Sequence, residues 1–158
     1  TDTTFTGTLI RSGTNSTDQW AVSYRFDSVG QQGYFVFGRS TSPTAGSSRD
    51  EILSSPVAPT LSGDWVNVIA EYDPNHDWSD GTFGPAISLY VDGSSSPGAP
   101  WIATTSSWSD PSAATTLGAG AAGPGSGFLN AQVSDVRLFS GNVTSSELAA
   151  LAFAPYAA

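Results

Sequence analysis

The densest run of side chains able to do chemistry is Asp73-Pro-Asn-His-Asp77-Trp-Ser-Asp80-Gly81. Three carboxylates and one amide carbonyl fall within its first eight residues. Read as a loop, it offers hard oxygen ligands at Asp73, Asn75 and Asp77, with Asp80 close behind. That donor set suits Ca²⁺. The glycine comes late for an EF-hand and no bidentate Glu follows. The alternative is a solvated acidic loop closed by an Asx turn. The same run places Trp78 between Asp77 and Asp80. An indole face can stack on the apolar face of a sugar ring, while carboxylates and amides accept from its hydroxyls. Trp78, Trp108, Asn75 and Asp80 are therefore the candidate carbohydrate contacts. Trp78, Trp101 and Trp108 stand among Ser, Pro and Asp, where large aromatics need a purpose; capping the ends of a β core is the alternative. Trp20 and Trp65 lie in strand patterns and are expected to pack.

Other chemistries find less support. Glu71 and Asp73 share strand parity, and a retaining glycosidase needs two carboxyls ~5 Å apart. No further Glu follows closely, and Asp77 stands beyond a proline. Gly118-Ala-Gly-Ala-Ala-Gly123 matches G-x-G-x-x-G, but Pro124-Gly125 follows where a dinucleotide site needs a helix. No G-x-S-x-G elbow occurs. A Ser-His-Asp triad would have to use His76, the single histidine, which reads as a loop residue. With no Cys, disulfides, thiolate zinc sites and Cys nucleophiles are excluded. Fourteen acidic residues against five cations, all Arg, give a net charge of -9. That argues against a nucleic-acid footprint and against binding to anionic membranes.

The elements that would position these residues are strands. Trp20 to Phe26 alternates, with Trp20, Val22, Tyr24 and Phe26 on one face. Tyr34–Phe37, Trp65–Tyr72 and Ala86–Val91 follow, the last ending at the turn signal Asp92-Gly93. Weaker strands surround Trp101-Ile102 and Thr115–Leu117. Phe128 to Phe139 reads as a last long strand. Val133 and Val136 have opposite parity there, which a β-bulge near Ser134 or Asp135 would reconcile. Asp135 and Arg137 share a parity and read as structural. Thr144-Ser-Ser-Glu147 is a capping box opening one short helix, with Leu148 and Leu151 as its stripe and Pro155 as its stop. Segments rich in Gly, Ser and Pro lie between strands as loops, so residues 1–158 form one domain. The fold class is all-β, an antiparallel β-sandwich with one short C-terminal helix. The longest weakly polar tail is about half of what a membrane helix needs, so membrane insertion is not expected.

The order of motifs resembles a known family. Trp65-Val-Asn-Val-Ile-Ala-Glu-Tyr-Asp73, Ile87-Ser-Leu-Tyr-Val-Asp-Gly93, Leu117-Gly118, Val133-Ser-Asp-Val-Arg-Leu-Phe139 and Thr144-Ser-Ser-Glu-Leu148 follow the order of laminin-G-like, concanavalin A-like jelly rolls of bacterial extracellular proteins. The resemblance covers residues 65 to 148 and extends weakly over Thr8 to Tyr24. It implies a non-catalytic module for carbohydrate binding or adhesion, acting on a glycan or cell-surface polysaccharide, with Ca²⁺ on a loop rim. It places the chain outside the cell, secreted or attached to a surface. The alternatives are a structural or decoration domain of a cell-surface or virion appendage, such as a phage tail or capsid, and, second, a glycoside hydrolase. Such domains begin with two further strands, and Thr1 already stands where the next should start. Other domains or chains are therefore expected to supply the missing edge strands, pairing near Thr8 to Arg11. The absence of Met agrees with a chain cut from a longer precursor.

Overall fold

The computed structural model describes residues 4–13, 18–40, 49–57, 65–103, 114–118, 127–128, 132–133, 135–139, 144, 146–147 and 150. Its strands in chain order are β1 Thr4–Gly13, β2 Asp18–Asp27, β3 Gln32–Ser40, β4 Arg49–Leu53, β5 Val68–Asp77, β6 Phe83–Val91, β7 Ser94–Ser95, β8 Trp101–Ile102, β9 Ala114–Leu117 and β10 Gly127–Phe128. They form two sheets, antiparallel apart from one parallel pair, β1 with β10. The first sheet runs β10-β1-β2-β3-β4, with β9 also against β1. In the second, β6 is paired by β5, β7 and β8.

Alternation of side chains explains what each strand buries. In the first sheet Val22 pairs with Phe37 and Phe37 with Ile52, and all three are buried. In the second, Ile87 and Leu89 are fully buried. These side chains, with Phe35 and Ala103, form a single apolar cluster contributed by both sheets, and Trp20 packs against it. The expected turn at Asp92-Gly93 is present. Both residues have positive φ, 49° and 76°, as a two-residue hairpin of the primed type requires.

The same alternation brings one charged pair inside. Arg39 lies opposite both Trp20 and Asp50, and its guanidinium approaches Asp50 at 3.6 Å with both side chains nearly covered. The Tyr72 ring of β5 stacks on that guanidinium, 4.2 Å from ring centroid to Cζ. A buried cation held by a carboxylate and an aromatic face thus links the first sheet to the second.

Several sequence expectations are corrected. The acidic run does not form a loop from Asp73 onward, because β5 continues through Asp77. β4 was not anticipated. Trp65 is 50% exposed rather than packed. The outer edge of β1 near Thr8 to Arg11 is paired by this chain itself: Thr8 with Phe128, Ile10 with Leu117 and Arg11 with Thr116. Phe128 to Phe139 is not one long strand; residues 135–139 have no strand structure, and Val136, Leu138 and Phe139 are exposed. With no strand at residues 135–139 no β-bulge is present among them; Asp135 has a φ of 50°. Arg137 makes two hydrogen bonds to the Asp135 carboxylate, 2.8 and 2.7 Å. The capping box is formed. The Thr144 N–H donates to Glu147 Oε2 at 2.8 Å, and the Glu147 N–H donates to Thr144 Oγ1 at 3.3 Å. Leu148, Leu151 and Pro155 lie outside the described residues.

Candidate functional site

The site grows out of the pairing of β5 with β6. Tyr72, Ala70 and Val68 lie opposite Ile87, Leu89 and Val91, and Val68, Ala70 and Val91 pack on the core cluster. Ile69, Glu71 and Asp73 therefore take the other face, opposite Tyr90, Ser88 and Ala86. Beyond Asp73 the register shifts. Asp73 pairs with Ala86 and His76 with Gly84, so β5 advances three residues while β6 advances two. This single-residue bulge contains Pro74, which cannot donate to a ladder, and Asn75. It puts His76 on the face of Glu71 and Asp73. In an unbroken strand His76 would lie on the core side.

Contacts confirm the row. His76 Nδ1 stands 3.6 Å from Asp73 Oδ2. The imidazole meets the Trp78 indole edge to face, with centroids 4.7 Å apart and planes at 72°. Trp78 closes the hairpin: its N–H donates to the Thr82 carbonyl at 2.9 Å, and the Gly81 N–H donates to the Trp78 carbonyl at 2.8 Å. The indole lies over Gly84, where an added Cβ would stand 3.4 Å from Trp78 Nε1. Glu71, Asp73, His76 and Trp78 thus form one continuous face along β5. It offers two carboxylates, an imidazole and a half-buried indole.

The electrostatics grade along this row. Burial raises the Glu71 pKa; the Asp73 carboxylate raises it further and His76 opposes both. At the other end, the Thr82 hydroxyl and then the Thr82 N–H, both donating to Asp80 Oδ1, hold the Asp80 carboxyl below its ordinary value.

The structure places the expected site residues unequally. Asp73 and Trp78 lie on the row. Asn75 is exposed in the bulge, and its N–H donates to Asp73 Oδ1 at 2.9 Å. Asp77 pairs with Phe83 and so takes the opposite face from His76. Asp80 sits at the turn with its carboxylate engaged by Thr82. The four oxygen donors expected to hold Ca²⁺ are thus spread over two faces and a turn. Among the described residues no group of three or more His, Asp or Glu side chains is placed to hold a metal. Trp108 lies outside the described residues. Trp101 is 55% exposed on β8, opposite Ile87 and away from the row. Sequence reasoning missed two residues of the site, His76 and Gly84. The proline and asparagine between Asp73 and His76 were the available signal for a bulge.

No protein-family model, curated protein or solved structure matches the chain. No helix among the described residues is long and apolar enough to cross a membrane.

Proposed function

We propose that this chain is a carbohydrate-binding or adhesion module, acting without catalysis outside the cell or on its surface, built as a concanavalin A-like jelly roll of the laminin-G-like kind. The observation that carries the reading is the bulge that gathers Glu71, Asp73, His76 and Trp78 on one sheet face. Sugar recognition needs a flat apolar patch beside polar groups that are already oriented. The indole supplies the patch; Asp73, fixed by the Asn75 N–H, supplies acceptors for hydroxyls. Asp80 is already bonded to Thr82, so its part is to shape the turn that carries Trp78. A cell-surface polysaccharide is the ligand class that fits the half-exposed end of that face at His76 and Trp78, since Ser88 and Ala86 beside Glu71 and Asp73 are buried. The contact needs no metal, and a chelator is expected to leave it unchanged.

The test is a glycan array followed by calorimetry on the strongest binder, with Trp78→Ala as the control. Affinity is expected to fall about tenfold or more, ~1.4 kcal/mol for each factor of ten. Unchanged affinity would remove Trp78 from the site. A second reading, a structural domain of a cell-surface or virion appendage, is favoured by the apolar side chains exposed at Val136, Leu138 and Phe139. The absence of any glycan ligand would leave that reading ahead.

A further inference from the structure

His76 occupies a place in the row that the carbohydrate reading does not by itself explain. It stands between the Asp73 carboxylate and the indole that it touches. On one side its Nδ1 lies 3.6 Å from Asp73 Oδ2. On the other its ring meets Trp78 edge to face at 4.7 Å. The indole has Gly84 beneath it, so close that a methyl group at that position would stand 3.4 Å from Nε1. Trp78 is therefore confined on two sides, by a ring and by bare backbone. Tryptophan has two side-chain torsions, and one in a hairpin turn, held only by its main-chain bonds to Thr82 and Gly81, would sample several rotamers. Ordering it only upon binding would cost affinity.

We propose that His76 is the positioning residue for Trp78, its imidazole packed edge to face on the indole and holding it over Gly84 so that one indole face is presented to ligand. This rests on the carbohydrate reading for the nature of the ligand, but the clamp is a property of the free protein. Edge-to-face aromatic packing supplies the contact. The bulge supplies the placement, because only the extra residue puts His76, and Trp78 two residues on, on the side of β5 that carries Asp73. Among the described residues, the groups facing the imidazole are Asp73 and Glu71 on β5 and Trp78 in the turn; Gly84 is the partner on β6.

The test uses the full chain labelled with 5-fluorotryptophan, the Trp78 resonance being assigned by its loss in Trp78→Phe. In the free protein Trp78 is expected to give one narrow line. His76→Ala should broaden or split it. His76→Phe should restore it, because that ring supplies the aromatic edge without the imidazole nitrogens. Gly84→Ala, which adds a methyl group in contact with the indole at 3.4 Å from Nε1, should shift the same line. Ligand affinity for the array-selected glycan should fall about two- to fivefold in His76→Ala and recover in His76→Phe. A Trp78 line unmoved by His76→Ala, or one that His76→Phe fails to restore, would overturn the clamp. Should His76→Ala unfold, as shown by urea titration, Gly84→Ala decides alone: an unmoved line overturns the proposal. If the fluorine signature behaves as expected but no glycan binds, the clamp stands and the carbohydrate reading fails.

Discussion

Glu71 is the residue on which solution conditions act most directly. Burial first, and the Asp73 carboxylate second, raise its pKa above the ordinary value. A carboxyl with a folded pKa above its unfolded one contributes stability fully below the unfolded pKa, and that contribution is lost as pH rises through the folded value. The ionised form of Glu71 is thus a cost to the fold. Glu71→Gln is expected to raise the stability at pH 7 by less than ~1 kcal/mol, read as a higher urea midpoint, with the gain vanishing as pH falls below the unfolded carboxyl's pKa. A lower midpoint at pH 7 would contradict this account. The residue types at the site were legible from the sequence: two carboxylates and an indole within a short polar run. The role of His76 was not, because the face it occupies depends on one extra residue in the backbone.

At the scale of elements, the bulge between Asp73 and His76 decides which side chains meet. Removing one residue from a strand moves everything beyond it to the other face. Deleting Asn75 is therefore expected to leave the apolar cluster intact, with an unchanged far-ultraviolet circular dichroism spectrum, while separating His76 and Trp78 from Asp73. Binding to the array-selected glycan should be lost. Retained binding would show that the row is not the site. Strands with apolar alternation, such as β2 and β3, could be read directly because burial on one face leaves that pattern. β4 could not, because its Arg-Asp-Glu start looks like a solvated loop. Its charges have partners only in the fold: Asp50 meets Arg39, and Glu51 meets Arg25 at 3.3 Å across the sheet. The continuation of β5 was masked in the same way, since the polar residues past Asp73 carry no hydrophobic period that would reveal a bulge.

For the whole molecule, two sheets share one apolar cluster, and Arg39, Asp50 and Tyr72 tie them together beside it. Breaking a buried pair by removing one partner leaves the other charge uncompensated. Asp50→Asn is expected to cost about 3 kcal/mol by urea titration; a change under about 1 kcal/mol would mean that the pair is not structurally important. The outer edge of β1 is paired by β9 and β10, so β5 presents its row from a framework whose first sheet this chain extends by itself. The net charge of -9 contributes two carboxylates to that row, where hydroxyls need acceptors. The most direct test of the central claim compares the native chain with Trp78→Ala on a glycan array, followed by calorimetry with and without chelator. The account predicts a glycan bound by the native chain, insensitive to chelator and bound about tenfold more weakly by the variant. Equal binding by both proteins would contradict it.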